Sequence, residues 1–105
     1  MPALDYRELR RRFPMRRVLA LLAYRPTTRR GDRWRGPCPF CTAANGESPL
    51  RHFAVQVARN VFQCFRCQAR GNALDLWRLH TCLPLHAAAL DLCRRTREQP
   101  PWLMP

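Results

Sequence analysis

Four cysteines stand in two Cys-x-x-Cys pairs, Cys38 with Cys41 in GPCPFC and Cys64 with Cys67 in CFRC, and twenty-two residues separate the pairs. This spacing fits one tight turn and directs both sulfurs of a pair to the same side. Two such turns facing each other supply the four ligands of a tetrahedral zinc ion. We therefore expect one structural Zn²⁺. A catalytic zinc is not expected, because four protein sulfurs leave no open position for water.

Other chemistry remains open for the cysteines and histidines. Redox-active disulfides are the alternative for Cys-x-x-Cys pairs, although the sequence lacks the βαβ pattern of thioredoxin-like proteins. His52, His80 and His86 are further candidate ligands, and an exposed strand position is favoured for His52. Cys82 and Cys93 have no partner at this spacing. Cys93 falls on an apolar helical stripe, so we expect it in the core.

The charge of the chain predicts a polyanionic partner. All 19 basic residues are arginine, and only 7 residues are acidic, which gives a formal net charge of +12. Arginine binds phosphate through a planar two-pronged donor and stacks on bases, so nucleic acid is favoured over an acidic protein or a membrane surface. A codon bias would explain arginine in place of lysine but not the scarcity of acids. No apolar run approaches the roughly 20 residues of a membrane-spanning helix, and we expect a cytoplasmic protein.

Residues 33–65 are predicted to form a small antiparallel sheet that positions the cysteines. The clearest strand is 51–58, where Phe53, Val55 and Val57 alternate with more polar residues. The other predicted parts are a third strand at 33–38, an exposed loop at 42–50, a tight turn at Arg59–Asn60 and a return strand at 61–65.

Two short helices are predicted before the sheet, at 1–13 and 15–24. Asp5 and Glu8 fall in the first turn of the first helix, which suits the helix dipole. Val18, Leu21 and Leu22 form one apolar stripe on the second. Residues 25–32 have the composition of a basic linker with turn signals.

Two more helices are predicted after the sheet. Asn72 can cap a helix over 72–81, with Asp75 completing a capping box, and Leu74 and Trp77 would be buried. A second helix carries a full apolar stripe, formed by Leu85, Ala88, Ala89, Leu92 and Cys93. We expect the last residues to form a flexible tail.

The sequence resembles the zinc-binding domain of bacterial DnaG-type primases over residues 15–96. It does so through the segments RWRGPCPFC, HFAVQV, VFQCFRCQARGNALDLW and LPLHAAALDLC, in this order. Positions other than cysteine match as well, namely Pro39, Phe40, Phe53, Val55, Phe62, Phe65, Gly71 and Asn72. The resemblance implies an α+β fold, a zinc ribbon flanked by short helices.

The chain departs from this family at several positions. The second ligand, usually histidine, is Cys41, and Arg66 and Gln68 replace the usual glycines beside the last cysteine. Zinc accepts four sulfurs as readily as three sulfurs and one nitrogen. The loop 42–50 is longer than in the family. We expect no room for the polymerising or helicase-binding domains of a primase, so no catalytic domain is expected here.

The resemblance implies that the sheet face engages single-stranded template. The candidate contacts within the ribbon are Arg33, Trp34, Arg35, Arg51, Arg59, Arg66 and Arg70. Trp34 and Phe62 are candidate stacking residues, and core packing is the alternative for both. Phe40 and Phe65 are expected to shield the sulfurs. The N-terminal arginines 7, 10, 11, 12, 16 and 17 form either a general phosphate-binding face or a solvated helix surface.

The favoured function is a zinc-stabilised module that binds single-stranded DNA in replication or primer synthesis. Its partners would be nucleic acid and a primase or polymerase catalytic subunit, a helicase or a transposase. The alternatives are an adaptor that docks such a protein, through Trp102 and Leu103 in the tail, and a zinc-ribbon transcription regulator. We expect three parts: a basic helical arm at 1–30, the zinc ribbon with its C-terminal helices at 31–97, and a tail at 98–105.

Overall fold

The computed structural model describes residues 3–40 and 52–103. Their elements, in chain order, are β1 Ala3–Leu4, α1 Tyr6–Arg12, α2 Met15–Leu21, β2 Thr28–Arg30, β3 Arg33–Gly36, β4 Phe53–Gln56, β5 Val61–Cys64, β6 Arg70–Gly71, α3 Ala73–Thr81, α4 Leu85–Arg95 and β7 Trp102–Leu103. The α+β class is confirmed.

The central sheet is antiparallel and has five strands in the order β2-β3-β4-β5-β6. Its three central strands, β3, β4 and β5, alternate sharply in burial, because successive side chains of a strand point to opposite faces. Phe53 and Val55 of β4 are 0% and 1% exposed, and their neighbours Ala54 and Gln56 are only partly covered. One face of the sheet therefore carries the core and the other stays open.

A turn is confirmed at Arg59–Asn60, but it spans residues 57–60, so strand β4 ends at Gln56, two residues before the predicted end of the strand. Asn60 has φ 57°, a left-handed conformation that asparagine tolerates better than most residues. Its side-chain oxygen accepts a hydrogen bond from the Ala73 backbone at 3.3 Å. This contact links the β4–β5 hairpin to the start of α3.

The helix start at Asn72 is also confirmed as a complete capping box. Asn72 Oδ1 accepts a bond from the Asp75 backbone at 3.0 Å, and Asp75 Oδ2 accepts one from the Asn72 backbone at the same distance. Leu74 and Trp77 are buried as expected. Helix α3 packs against α4 and α2.

The N-terminal half differs from the prediction at three places. The first helix starts at Tyr6, and Asp5 is its N-cap, accepting from the Glu8 backbone. Leu21 is 39% exposed, whereas Met15 and Leu19 face the core together with Val18. The predicted linker 25–32 contains strand β2, which pairs with β3.

The C-terminal segment is paired where a free tail was expected. Strand β7 pairs with β1, so that Ala3 lies opposite Leu103 and Leu4 lies opposite Trp102. The Asp5 backbone donates to the Pro101 carbonyl at 2.7 Å. Backbone hydrogen bonds therefore hold the two ends of the described chain together. Leu85, expected on the buried stripe of α4, is 39% exposed.

Candidate metal centre and nucleic-acid interface

Three cysteines converge at one end of the sheet. Cys38 follows β3, Cys64 is the last residue of β5, and Cys67 lies three residues further on. Their sulfurs all lie within 4.8 Å of one another. The Sγ atoms of Cys38 and Cys67 are 3.8 Å apart. Two sulfurs bound to one zinc at about 2.3 Å and at the tetrahedral angle stand about 3.8 Å apart, so the observed spacing suits a zinc ion.

Backbone amides around the cysteines favour the thiolate form. Cys38 Sγ accepts a hydrogen bond from the Phe40 amide, and Cys64 Sγ accepts from the amides of Arg66 and Cys67, each at 3.4 Å. Hydrogen bonds to a charged group stabilise that charge, and such outer-shell donors orient metal ligands. The residues present therefore fit zinc, which is the cofactor of this chain.

A buried tyrosine lies close to the cluster. The Tyr24 hydroxyl is buried and has no hydrogen-bond partner among residues 3–40 and 52–103. Burial, followed by the negative charge of Cys38, raises the pKa of Tyr24 and keeps the phenol neutral. A Cβ at Gly36 would come within 2.6 Å of this hydroxyl oxygen. Glycine at position 36 is therefore required by the close approach of Tyr24.

Cys41 and Arg51 lie outside the described residues, so the fourth ligand stays a prediction. Within them, the cysteine cluster includes no histidine. His52 is exposed at the start of β4, while His80 lies against the ring of Trp77 and His86 near that of Trp102. Cys93 is buried in the core as expected, and Cys82 is an exposed helix-capping residue.

The open face of the sheet is rich in arginine. The open face is the outward side of the sheet, formed by Thr28, Arg30, Arg33, Arg35, Ala54, Gln56, Val61, Gln63, Phe65 and Arg70. A hollow of about 350 Å³ is lined by Thr28 and by three arginines, Arg30, Arg33 and Arg35. Arg30 and Arg33 stand directly opposite each other on β2 and β3. Like charges in this position repel, so the pair is not explained by stability.

A second hollow, of about 470 Å³, is more apolar and lies over β4, β5 and β6. Ala54, Val61, Phe65 and Arg70 are among its lining residues. Phe65 is 53% exposed, and the Arg35 guanidinium lies 5.4 Å from the centre of its ring. Phe65 was expected to shield the sulfurs. Instead it presents an aromatic ring on the open face, and Phe40 packs at its ring edge with Phe53 and Phe62.

Burial corrects the assignment of two stacking candidates. Trp34 is 6% exposed and Phe62 is 3% exposed, because both point to the core face of the sheet. The Arg29 guanidinium covers Trp34 at 4.1 Å from the ring centre. Neither ring presents a face to a base, and the core alternative is the one observed. The alternation of arginine and tryptophan in RWR at 33–35 already indicated that Trp34 points to the face opposite Arg33 and Arg35.

Four acidic side chains form ion pairs with arginines on the helical side of the molecule. Within the described part of the chain the ion pairs are Glu8 with Arg11 and Arg12, Glu98 with Arg17, Asp75 with Arg78, and Asp91 with Arg94 and Arg95. None of them involves Arg30, Arg33 or Arg70. Within residues 3–40 and 52–103, Arg30, Arg33 and Arg70 on the sheet therefore have no carboxylate as an ion-pair partner.

The remaining predicted contacts lie at the borders of the open face. Arg59 is in the hairpin turn, where its Nη1 is 3.5 Å from Gln56 Oε1, and Arg66 is exposed between the last two cysteines. Sequence reasoning missed Arg30, which was placed in a linker. A two-residue Gly31–Asp32 connection between two alternating segments was the available signal of a hairpin.

Comparisons with known proteins give a consistent result. The model of the CHC2 zinc finger, the zinc ribbon of DnaG, matches residues 5–101. The solved structure of the Aquifex aeolicus primase, comprising zinc binding and RNA polymerase domains, aligns with a TM-score of 0.69 and 27% identity over 92% of this chain. The chain spans 22% of that primase chain. No curated protein sequence matched. Within the described residues, no helix is long and apolar enough to cross a membrane.

Proposed function

Since the chain belongs to the CHC2 zinc-finger family of DnaG-type primases, we propose that it binds single-stranded DNA across the open face of its sheet. The observation that carries this proposal is the group of arginines without carboxylate partners, Arg30, Arg33 and Arg70, around an exposed aromatic ring, Phe65. Arginines would hold the phosphates, and the ring would stack on one base.

The geometry favours a single strand over a duplex. In a duplex the faces of the bases are stacked on one another, so Phe65 would find only edges and phosphates. An unpaired strand can turn a base toward the ring, and such stacking contributes about 1–3 kcal/mol per base. The shallow hollow beside Phe65 is lined by small or apolar side chains, Ala54 and Val61, and has room for a base.

The zinc ion would act as a structural staple. We propose Cys38, Cys41, Cys64 and Cys67 as its four ligands, with Arg66 beside them offsetting part of the local negative charge. Bound zinc would fix the ends of β3 and β5 and thereby the spacing of the arginines on the open face. The proposed binding unit is the ribbon with its C-terminal helices, 31–97, together with strand β2 at the end of the basic arm 1–30, because β2 pairs with β3.

The proposed role is in DNA replication or primer synthesis in the cytoplasm, next to a catalytic primase or polymerase subunit. An adaptor function has one observation in its favour. Trp102 and Leu103 on β7 are 38% and 50% exposed, although they lie in a paired strand. A helicase or transposase could use these side chains as anchors.

Fluorescence anisotropy with matched single-stranded and duplex oligonucleotides, across 50–200 mM salt, distinguishes these functions. We expect tighter binding to the single strand and a steep loss of affinity with salt. A preference for one duplex sequence would support a transcription regulator. Absence of binding at 50 mM salt would refute the proposal and leave the adaptor.

Phe65 provides a sharper test of the contact. Phe65→Leu should weaken binding to a single strand by about 5- to 150-fold, the equivalent of one lost stacked base. Phe65→Tyr keeps the ring and should bind like the wild type. The side chain is half exposed, so neither change should alter thermal stability much. Equal affinity of the leucine and tyrosine variants would show that no base stacks at this position.

A further inference from the structure

A second basic cleft lies on the other side of strand β2, away from the open face. It encloses about 330 Å³ between α2 and the β2–β3 hairpin. Its charged residues are Arg16 from α2 and Arg29 from β2, and the other lining residues are Leu19, Ala20, Tyr24, Gly31 and Trp34. No carboxylate is among these residues. We call this space the α2–β2 cleft.

The two arginines of this cleft stand without an ion-pair partner within residues 3–40 and 52–103. Arg29 is held in place by its contact with the face of Trp34 at 4.1 Å. Such a contact fixes the guanidinium but does not neutralise its charge. Arg16 is exposed on the surface of α2. The cleft therefore presents one oriented and one adaptable cation to an incoming anion.

Strand β2 brings the α2–β2 cleft close to the open face. Arg29 and Arg30 are consecutive, so their Cα atoms are about 3.8 Å apart while their side chains point to opposite faces. Arg29 enters the cleft and Arg30 enters the basic hollow of the open face. Strand β2 is also an end strand of the sheet, with β3 as its neighbour. A chain of phosphates that crosses this edge passes from one group of arginines directly to the other.

We propose that the α2–β2 cleft is a second phosphate-binding site and that it holds the continuation of the strand bound on the open face. The bound polynucleotide then bends round the edge of the sheet at β2. Arg30 and Arg33 contact phosphates before the bend, and Arg29 and Arg16 contact phosphates after it. This inference rests on the proposed function, because the same strand occupies both sites.

The length of the oligonucleotide separates the two sites experimentally. A single strand of about 4 nucleotides, at the lower end of the range for small β-sheet domains, would occupy only the open face, and one of about 12 nucleotides would reach the cleft. The variants are Arg16→Gln, Arg29→Gln and the two combined. Arg16→Gln changes an exposed residue and tests the site even if loss of Arg29 uncovers Trp34 and disturbs folding. The matched control is Arg10→Gln, another exposed helix arginine that makes no ion pair in the described residues.

We expect each lost phosphate contact to reduce the slope of log K against log salt by about 0.7 for a single strand. The combined variant should therefore lose about 1.4 from the slope with the 12-mer, and Arg16→Gln about half of that. Neither should change the slope with the 4-mer, and the control should change neither. An unchanged 12-mer slope, or equal losses for both lengths, would overturn the second site while leaving the open face intact. Failure of the wild type to bind the 12-mer would refute the proposed function itself.

Discussion

The opposed pair Arg30 and Arg33 offers a test in which binding and stability should change in opposite directions. The two residues face each other on neighbouring strands and line one hollow. Replacing both with glutamine removes two charges but keeps side chains that suit an exposed strand. We expect the double variant to bind single-stranded DNA less tightly and to fold at least as well as the wild type.

The magnitude of the binding loss follows from the number of arginines on the open face. In the proposed complex Arg30, Arg33, Arg35 and Arg70 would make up to four phosphate contacts, which corresponds to a salt slope of about 2.8 at about 0.7 per contact. A 4-mer with a 5′-phosphate carries four phosphates, and because it occupies only this face it isolates the contribution of these arginines to the slope. Two lost contacts halve the slope to about 1.4. If the two proteins bind equally at 1 M salt, this decrease of about 1.4 in slope weakens binding by the variant about 25-fold at 0.1 M salt.

The stability should respond in the opposite direction. Like charges directly across an antiparallel pair are destabilising, and cross-strand pairs contribute about 0.2–1 kcal/mol. For a domain of this size, relief of that repulsion raises the melting temperature by roughly 1–6 °C. Anisotropy titrations with the 4-mer at several salt concentrations and thermal melts of the zinc-loaded protein give both quantities on one sample.

The control for this experiment is Arg7→Gln with Arg10→Gln. This control also lowers the formal net charge of +12 by two, but it does so at exposed positions on α1. If the control weakens binding as much as the Arg30 and Arg33 variant, then the overall charge attracts the strand and the open face is not the contact. An unchanged slope in the Arg30 and Arg33 variant would equally refute the reasoning.

Two further predictions concern the stability of the fold. Cys64→Ser or a strong chelator should abolish the cooperative melt, because binding energy at a structural zinc site is folding energy, whereas Cys82→Ser at an exposed position should leave it unchanged. Asp91→Asn should cost about 2 kcal/mol, because Asp91 is buried and accepts charge-assisted bonds from Arg94 and Arg95. Burial raises the pKa of Asp91, but the hydrogen bonds outweigh burial and lower that pKa below its usual 3.8. The contribution of Asp91 to stability is therefore complete above pH 3.8 and is lost as the pH falls through the lowered pKa. Urea melts at pH 5 to 7, above the usual pKa of Asp91, should show a constant difference of about 2 kcal/mol between wild type and Asp91→Asn, and equal stability of the two proteins would contradict the assignment.

The features that could be predicted from the sequence are set by short-range chemistry. A Cys-x-x-Cys pair requires one turn, Asn60 needs only its own tolerance of positive φ, and the capping box joins Asn72 to Asp75 within one helical turn. Each signal is contained in a few residues and is independent of the rest of the fold. The structure confirms the turn at Asn60 and the helix start in detail.

The features that the sequence did not predict depend on partners distant in the chain. Strand β7 finds its partner at the opposite end of the sequence, so no local pattern at Trp102 and Leu103 could reveal the pairing. Phe65 continues the outward alternation of Val61 and Gln63, so its exposure follows from the strand period once Cys64 is known to face the core. Its position beside Arg35 required knowledge of how β3 and β5 are aligned through β4.

The placement of carboxylates explains how a chain of net charge +12 holds together and still offers charge to a partner. On the helical side, arginines have structural contacts: Arg17 pairs with Glu98 at 2.7 Å, and Arg12 donates to the Gln99 carbonyl at 2.8 Å. These contacts tie the first helices to the C-terminal segment. Within the described residues, Arg30 of β2 and Arg33 of β3 form no such ion pair, and they stand directly opposite each other. Because repulsion at Arg30 and Arg33 lowers stability in the free protein, an anion that relieves it binds with that free energy added to its own contacts. A polyphosphate strand across β2 meets this condition, since it supplies several anions at the spacing of a single chain.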